Sequence, residues 1–547
     1  MSLKLGTTSI PGIRVVEEGG SSSSTSDYGV MFIDYDGTVI EQWAPSEVAG
    51  KSALPSNPTH AGLTAQGWNW TLANIKTQMA LSNKQMIVVG QQYVTTSEAT
   101  EIDIEIVDSI LLSIYISFAV NGGVSIDWGD NSSPTTLTGT SLTVRKYTNH
   151  TYSSLGNYTI KISVTSGSMG FYFGSGSYYL ISDTYGSSSY QLGYVSMVKA
   201  IRTGKNFVSI GNYTLQYLGE LEYITLSKAV TSIGTYAFQY CCKLKSITIP
   251  ETITLLDNNT FYYCTSLKSV SLPYSIEQIN NNVFYCNYKL AHITLSNSLT
   301  TLGSSAFYYC ASFKSLYIPS SITVLNNGTF GNCKFLKAVI IGGSNLTSIG
   351  DTCFSNCSAL EEINLPSSIT SIGNSAFSDC LLLASNLSLS CNFGNNVFKG
   401  CYSLTNITIS GSNLTLGTGM FNTSFLKNIT LSGITSIPSD TFNSCYYLSS
   451  ITIPNTVTTI GSNAFQKCYT LVSLTIPNSV TSIATKAFQN CLSMREYHFQ
   501  STTPPELEAD ALSGMMTNCK IYVPSASLSA YQSATNWSNY ASKMVGE

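Results

Sequence analysis

The chain has 547 residues, a formal net charge of −4 and only 10% charged residues. An average soluble protein has about 25% charged residues, so the surface predicted here is polar but nearly uncharged. The length exceeds what one core buries and indicates a repeat array or several domains. The charge balance excludes a basic surface for nucleic acid, and no run approaches the roughly 18 apolar residues of a membrane span.

The first 27 residues read as a flexible leader. They contain the polar run SSSSTS at 21–26, which is typical of a linker. They lack the apolar segment of a signal peptide, and the final letters ASKMVGE carry no anchor motif. We therefore expect either an export signal trimmed from this chain or a route other than ordinary secretion.

Residues 28–98 are predicted to form a small α+β module. YGVMFIDYDGTVI at 28–40 indicates strand, turn and strand, with Asp36 and Gly37 in the turn, and a helix is expected near 72–81. The run LPSNP…GLTAQGWN resembles the small β-grasp repeats of Listeria–Bacteroides surface proteins. Trp68 and Trp70 are candidates for a sugar-stacking platform, although packing of both rings against the helix is the favoured interpretation.

Residues 99–196 have a pattern of their own, distinct from the repeats of the C-terminal part. VSIDWGD at 124–130 indicates a strand entering an acidic turn, and GNYTIKISV at 156–164 indicates an alternating strand. With HTY between them, these segments resemble the PKD-type immunoglobulin-like β-sandwich, a resemblance that implies a spacer or a carbohydrate-proximal stalk. Asp127 and Asp130 are possible calcium ligands, but carboxylates that cap the turn are the favoured interpretation.

An eleven-letter motif repeats through the rest of the chain. TSIGTYAFQYC at 231–241 returns as TTLGSSAFYYC, TSIGNSAFSDC and TTIGSNAFQKC. The spacing of the motif phenylalanines is 23 residues in most units, and a degenerate earlier unit carries Leu215 and Leu218. The motif phenylalanines are Phe238, Phe261, Phe284, Phe307, Phe330, Phe354, Phe377, Phe398, Phe421, Phe442, Phe465 and Phe488.

Each unit also carries a short strand that ends at proline, such as ITIP at 247–250 and LTIP at 474–477. A single unit is too small to bury its apolar face, whereas stacked units share one core. The predicted fold is therefore mainly β: a solenoid of about 12–13 coils, preceded by the sandwich and the α+β module.

The unit L-x-x-I-x-I-P-x-x-V-x-x-I-G-x-x-A-F-x-x-C resembles the BspA-like class of leucine-rich repeats over residues 197–547. That resemblance implies a solenoid at 197–500 and adhesion to host matrix proteins or to other cells. Residues 501–547 depart from the repeat and are predicted to cap the last coil. Val523, Leu528, Tyr531 and Trp537 are expected to cover it.

All fifteen cysteines fall within the array. Ten of them share one repeat position, and no CxxC pair is present. A ladder of buried reduced thiols is the favoured interpretation, with metal binding a weak alternative. The ten are Cys241, Cys264, Cys310, Cys333, Cys357, Cys380, Cys401, Cys445, Cys468 and Cys491. Two units depart from this pattern, with Cys286 shifted by one position and Ser424 in place of cysteine.

The predicted ligand-binding surface lies between the phenylalanine and the cysteine of the early coils. Those two positions are aromatic at one end of the array and small or polar in later coils, which indicates a local role rather than a structural one. Exposed aromatic residues are enriched in recognition surfaces. The alternatives are packing against the sandwich, or mere tolerance. The residues are Tyr240, Tyr262, Tyr263, Tyr285, Tyr308 and Tyr309.

No catalytic motif, metal site or cofactor site is predicted. The four histidines, His60, His150, His292 and His498, have no nucleophile or carboxylate pair at a recognisable spacing. We expect a non-enzymatic recognition protein that binds a protein or glycan on another cell or a host surface. The carrier is a bacterial surface or, alternatively, a prophage tail. A third hypothesis is an accessory module that binds carbohydrate through the tryptophan pair.

Overall fold

Parallel coils stacked in register form most of the molecule. The computed structural model describes residues 28–172, 180–182, 192–384 and 386–547. Ser246 pairs with Ser269 and Ser269 with His292, so each coil lies 23 residues beyond its neighbour. The mainly β solenoid predicted from the repeat is confirmed. It has about 15 coils, more than the 12–13 predicted, because the array continues beyond Phe488 through a coil with Leu512 in the phenylalanine position and through the strand Lys520–Val523.

Each coil contributes one strand to a first series and, in most coils, a second short strand. The first series is Val198–Arg202, Tyr223–Thr225, Ser246–Thr248, Ser269–Ser271, His292–Ile293, Ser315–Ile318, Ala338–Ile341, Glu362–Ile363, Leu387–Leu389, Asn406–Ile409, Asn428–Leu431, Ser450–Ile451, Ser473–Ile476, Glu496–Phe499 and Lys520–Val523. The second series is Phe207–Ile210, Ser232–Ile233, Leu255–Leu256, Gln278–Ile279, Thr301–Leu302, Val324–Leu325, Ser348–Ile349, Ser371–Ile372, Asn392–Phe393, Ser436–Ile437, Thr459–Ile460, Ser482–Ile483 and Glu506–Leu507.

The motif phenylalanines form an uninterrupted ladder through the core. All twelve are fully buried, and successive rings stack nearly parallel with centroids 5.0–5.7 Å apart. Offset stacking at this distance is favourable beyond the area it buries. The phenylalanine repeats because each ring packs on the same ring one coil away.

The motif cysteines form a second ladder with a hydrogen-bonding role. Each Sγ donates to the backbone carbonyl of the motif residue one coil earlier, at 3.1–3.3 Å. The thiol thereby satisfies a carbonyl that burial would otherwise leave unpaired. Asn287 takes over this place in the coil with the shifted Cys286, where its Nδ2 donates to the Phe261 carbonyl at 3.0 Å.

The α+β module begins with strand β1 (Gly29–Ile33), β2 (Val39–Trp43) and β3 (Leu63–Trp68), followed by helix α1 (Leu72–Leu81) and β4 (Met86–Thr95). A 3-10 turn covers Val48–Gly50. The strand order is β2-β1-β4-β3, with β1 and β4 parallel. The hairpin predicted at 28–40 and the helix predicted at 72–81 are confirmed.

The next five strands continue directly into the solenoid. They are β5 (Thr100–Ile106), β6 (Ser113–Asp127), β7 (Thr135–Thr151), β8 (Gly156–Phe171) and β9 (Ile181–Ser182), with a 3-10 turn at Ser109–Leu111 and helix α2 at Leu192–Val195. Strand β5 pairs with Val198–Arg202, and β8 pairs with Phe207–Ile210. This region therefore shares its sheet and its core with the first coil.

Helical turns and one strand close the other end. They are a 3-10 turn at Ser525–Ser527, helix α3 (Leu528–Ser533), a 3-10 helix at Trp537–Lys543 and the strand Met544–Gly546. That strand pairs with Lys520–Val523. Tyr531 and Trp537 are buried at ring-centroid distances of 6.2 and 4.8 Å from Phe499.

Candidate functional site

A left-handed turn follows the motif phenylalanine in each coil. The residue two positions after the motif phenylalanine has a φ near +60° throughout the solenoid. Glycine, asparagine and aspartate adopt this conformation most readily, and a bulky side chain is unusual there. Most later coils follow that preference, whereas early coils have Tyr240, Tyr263 and Tyr309. The later residues that follow it are Asn332, Asn356, Asp379, Gly400 and Asn490, and those that do not are Thr423, Ser444 and Lys467.

The six predicted tyrosines come together as one surface, which we call the tyrosine ladder: Tyr240, Tyr262, Tyr263, Tyr285, Tyr308 and Tyr309. Tyr262, Tyr285 and Tyr308 stack along the solenoid with centroids 5.0 and 5.3 Å apart. Tyr240 and Tyr263 form a second column beside the first, with ring centroids 5.2 Å apart and the rings tilted by 38°. All six are half-buried rather than openly exposed, because neighbouring rings cover one another.

The two ends of the ladder differ. At one end the stacking continues to Tyr217, whose ring centroid lies 5.2 Å from that of Tyr240. At the other end, the ring of Tyr308 lies over Gly331, where a Cβ atom would stand 2.4 Å from Tyr308 Cε2. A larger residue at 331 would displace this ring, so glycine begins the small polar series of later coils.

The ladder is electrically neutral over the physiological range. Burial and neighbouring phenols raise the pKa of Tyr262, Tyr285 and Tyr308 above the ordinary value. The hydroxyls therefore remain protonated, so each donates as well as accepts hydrogen bonds. Such a surface offers apolar rings with polar tips and suits a neutral polar partner.

The predicted sugar platform at Trp68 and Trp70 is wrong. Both indoles are buried: Trp68 lies in the module core and donates Nε1 to the Pro55 carbonyl at 3.0 Å. Trp70, beyond the end of β3, donates Nε1 to the Leu272 carbonyl at 2.7 Å. The aromatic faces pack against protein, as the favoured interpretation predicts, although Trp70 packs on the solenoid and Tyr274 rather than on the helix alone.

The carboxylates of the acidic turn cap the backbone. Asp127 Oδ1 accepts from the Gly129 amide at 2.9 Å and Asp130 Oδ1 from the Ser132 amide at 3.1 Å, while His150 Nε2 lies 2.7 Å from Asp130 Oδ2. Burial alone would raise the pKa of Asp130, but hydrogen bonds from Ser132 and His150 lower it to about 2. Within the described residues, no three histidine, cysteine or acidic side chains form a metal-binding group.

The comparison with known families identifies the array. A model of the BspA-type leucine-rich repeat region matches residues 208–337, 325–449 and 435–536, which together span more than half of the chain. The chain belongs to the BspA-type leucine-rich repeat family. No curated protein sequence matches it.

Two solved structures are similar to this BspA-type protein. A leucine-rich repeat protein from Bacteroides ovatus is 26% identical, with 64% of this chain and 94% of that chain covered and a TM-score of 0.47. A leucine-rich cell surface protein from Faecalibacterium prausnitzii is also 26% identical, with coverages of 55% and 84% and a TM-score of 0.35. Across the described parts of the chain, no helix has the length and apolar character of a membrane span.

A second aromatic surface of the repeats escaped the sequence analysis. Tyr402 stacks on Phe425 at 4.9 Å, Phe425 contacts Tyr447 at 4.9 Å, and Tyr446 stacks on Tyr469 at 5.1 Å. Tyr402 and Tyr447 are openly exposed, at 45% and 47%. The signal was present in the sequence, since these residues all follow the repeat cysteine or its replacement by one or two positions.

Proposed function

We propose that this chain is a non-enzymatic recognition protein that binds a protein or glycan on another cell or a host surface through the tyrosine ladder. The observation that carries the proposal is the presence of Tyr240, Tyr263 and Tyr309 at left-handed turn positions. A tyrosine at such a position costs about 1–2 kcal/mol relative to a relaxed conformation. Later coils place asparagine, aspartate or glycine there in most units and Thr423, Ser444 and Lys467 in the others, so the turn itself does not require tyrosine.

Surface chemistry supports the same conclusion. Tyrosine supplies a large, rigid contact area with a polar tip and is enriched in binding hot spots. The aromatic columns extend over several coils, which provides a continuous surface long enough for a macromolecule or an extended glycan. The low charge of the chain favours contacts of this kind over electrostatic capture.

We propose boundaries of 28–98 for a β-grasp-like module, 99–196 for a PKD-like region, 197–500 for the solenoid and 501–547 for its cap. The mixed β2-β1-β4-β3 sheet with one helix supports the first. Strands β5 and β8 pair with the first coil, which supports a capping role for the region 99–196 in place of a role as a stalk. The predicted leader, 1–27, lies outside the described residues.

The carrier is proposed to be a bacterial cell surface, as the family resemblance implies. A prophage tail is the second candidate, and the cysteines favour it: all fifteen are free, and the ladder members act as thiol donors, which suits folding under reducing conditions. The carbohydrate-accessory hypothesis loses its basis, because Trp68 and Trp70 are buried.

A pair of quadruple variants tests the proposal. Tyr262, Tyr263, Tyr308 and Tyr309 are replaced by serine in one, and Tyr402, Tyr446, Tyr447 and Tyr469 in the matched control. Full-length proteins are applied to arrayed host matrix proteins and arrayed glycans. We expect the first variant to lose the signal of the native chain and the control to keep it. Retained binding by the first variant, or loss only in the control, would place the site elsewhere.

A further inference from the structure

A cleft lies where the α+β module meets the solenoid, away from the tyrosine ladder. Its volume is about 510 Å³, within the range of small-molecule sites. Strands β1, β2 and β4 form one wall, and the starts of successive first-series strands form the other. The lining combines apolar side chains from the module with basic side chains from the coils.

The module wall is apolar. Met31 and Ile33 project from the face of β1 opposite the module core and cluster with Val88 and Met86. Val39, on β2, completes this wall with 47% of its surface exposed. Met31 and Ile33 are themselves buried, at 6% and 0%, so Val39 and the half-buried Met86 are the apolar side chains that a ligand body would contact.

The solenoid wall is basic. Lys268, Lys289 and Lys314 line it from three successive coils, and none of the described residues that line the cleft is acidic. These lysines occupy two repeat positions, one shared by Lys243 and Lys289 and the other by Lys245 and Lys268. The earlier lysine at each position is neutralised, since Lys243 pairs with Glu220 at 2.6 Å and Lys245 with Glu222 at 2.7 Å. Among the described residues, Lys268 and Lys289 have no carboxylate within ion-pair distance.

The width of the cleft is held by the docking of the module. Ser271 Oγ donates to the Val88 carbonyl at 3.0 Å, and the Val88 amide donates to Thr294 Oγ1 at 2.7 Å. Asn69 Nδ2 donates to the carbonyls of Ile249 and Ser271 at 3.2 Å. Gly90 permits this approach, because a Cβ atom there would stand 2.1 Å from Thr248 Oγ1. A preformed cleft loses little free energy to ordering when it binds.

We propose that this cleft binds a small amphipathic carboxylate, with its apolar body against Val39 and Met86 and its anion between Lys268 and Lys289. Each buried methylene contributes about 0.8 kcal/mol, and the lysines select the sign of the charge. The described lining offers no carboxylate to pair with a cation. This site is separate from the tyrosine ladder and does not depend on the proposed recognition function.

Calorimetric titration of the full chain with decanoate, decyltrimethylammonium and 1-decanol tests the site. We expect decanoate to bind once per chain, more weakly as salt rises, and the cationic amphiphile not to bind. Equal binding of the three amphiphiles, or no binding of decanoate, would overturn the proposal.

Two double variants locate the binding. Lys268→Ala with Lys289→Ala should weaken decanoate binding by about tenfold or more. Lys243→Ala with Lys245→Ala is the matched control, because it removes two lysines at the same repeat positions outside the cleft, and it should leave the affinity unchanged. Equal losses in both variants would contradict the assignment. Hexaglutamate, an anion without an apolar body, is titrated as well, and its binding in place of decanoate would also contradict the assignment.

Discussion

The early and late coils of the solenoid share one interior but differ at the turn beside it. From Phe238 to Phe488 the ring ladder is continuous, and the cysteine donors recur with nearly constant geometry. At the adjoining left-handed position, coils up to Tyr309 carry tyrosine at most sites, and coils from Asn332 onwards carry mainly small or polar residues. Contacts with neighbouring coils thus constrain the interior residues of every coil, whereas the residue at the turn varies from coil to coil.

The two ends of the array are also closed differently, and this gives the largest expected effect. Strands β5 and β8 extend the first coil, while the last coil depends on Tyr531, Trp537 and Met544–Gly546. Deletion of 525–547 should therefore expose core and a strand edge and cause aggregation. Size-exclusion chromatography measures the outcome; a soluble monomer of unchanged stability would show that these residues are not a cap.

Because buried thiols recur through the solenoid, we expect alkaline pH to destabilise the folded state strongly. Burial raises the pKa of the ladder thiols, to about 12 for Cys357, whereas an unfolded cysteine titrates near about 8.5. The native state therefore retains protons that the unfolded state releases. The stabilisation is complete below about pH 8.5 and declines as pH rises towards 12, by up to about 1.4 kcal/mol per pH unit for each thiol.

Denaturant unfolding at several pH values between 8 and 11 measures this decline. Cys264→Ala in an early coil and Cys357→Ala in a late one should each reduce the slope by about the same amount, about 1.4 kcal/mol per pH unit at most. Ser424, which naturally replaces a ladder cysteine, shows that the fold tolerates loss of one thiol. A slope unchanged by both substitutions would exclude the thiols as its origin.

Removal of one ladder phenylalanine should lower the free energy of unfolding equally in the early and the late coils. Phe261→Ala and Phe377→Ala each remove a fully buried side chain stacked between two others. Each should lower the free energy of unfolding by about 3–5 kcal/mol through the cavity it leaves. Equilibrium denaturation compares them directly. A cost below about 1 kcal/mol at either position would break the equivalence of the two halves.

The repeat made the interior predictable because its residues contact the same residues one coil away. Phe238, Cys241 and Ile247 follow from spacing alone, and the degenerate unit at Leu215 is also recognisable, whereas the coil with Leu512 is not identified because leucine replaces the diagnostic phenylalanine. The docking of the module was not predictable: Asn69 meets Ser271 across 202 residues of chain, and no local pattern indicates that contact. For the same reason the sequence left a surface role open for Trp70, although its partner is Leu272.

The left-handed turn that carries the tyrosine ladder could not be predicted either, because tyrosine at 240 or 263 gives no indication of a positive φ. The tyrosines themselves were found, since their change along the array is a matter of composition. What the structure adds is the left-handed conformation of their position and its conformational cost, which Thr423 and Lys467 also bear in later coils.

The most direct test of the account replaces Tyr240, Tyr263 and Tyr309 by asparagine, singly and together, and measures the free energy of unfolding. Loss of ring contacts, about 0.5–1.5 kcal/mol each, should be offset by relief of the left-handed conformation, about 1–2 kcal/mol each. We predict a net change within about 1 kcal/mol per substitution. A loss near the 3–5 kcal/mol expected for Phe261→Ala would make the tyrosines part of the folding interior and would contradict a surface kept for recognition.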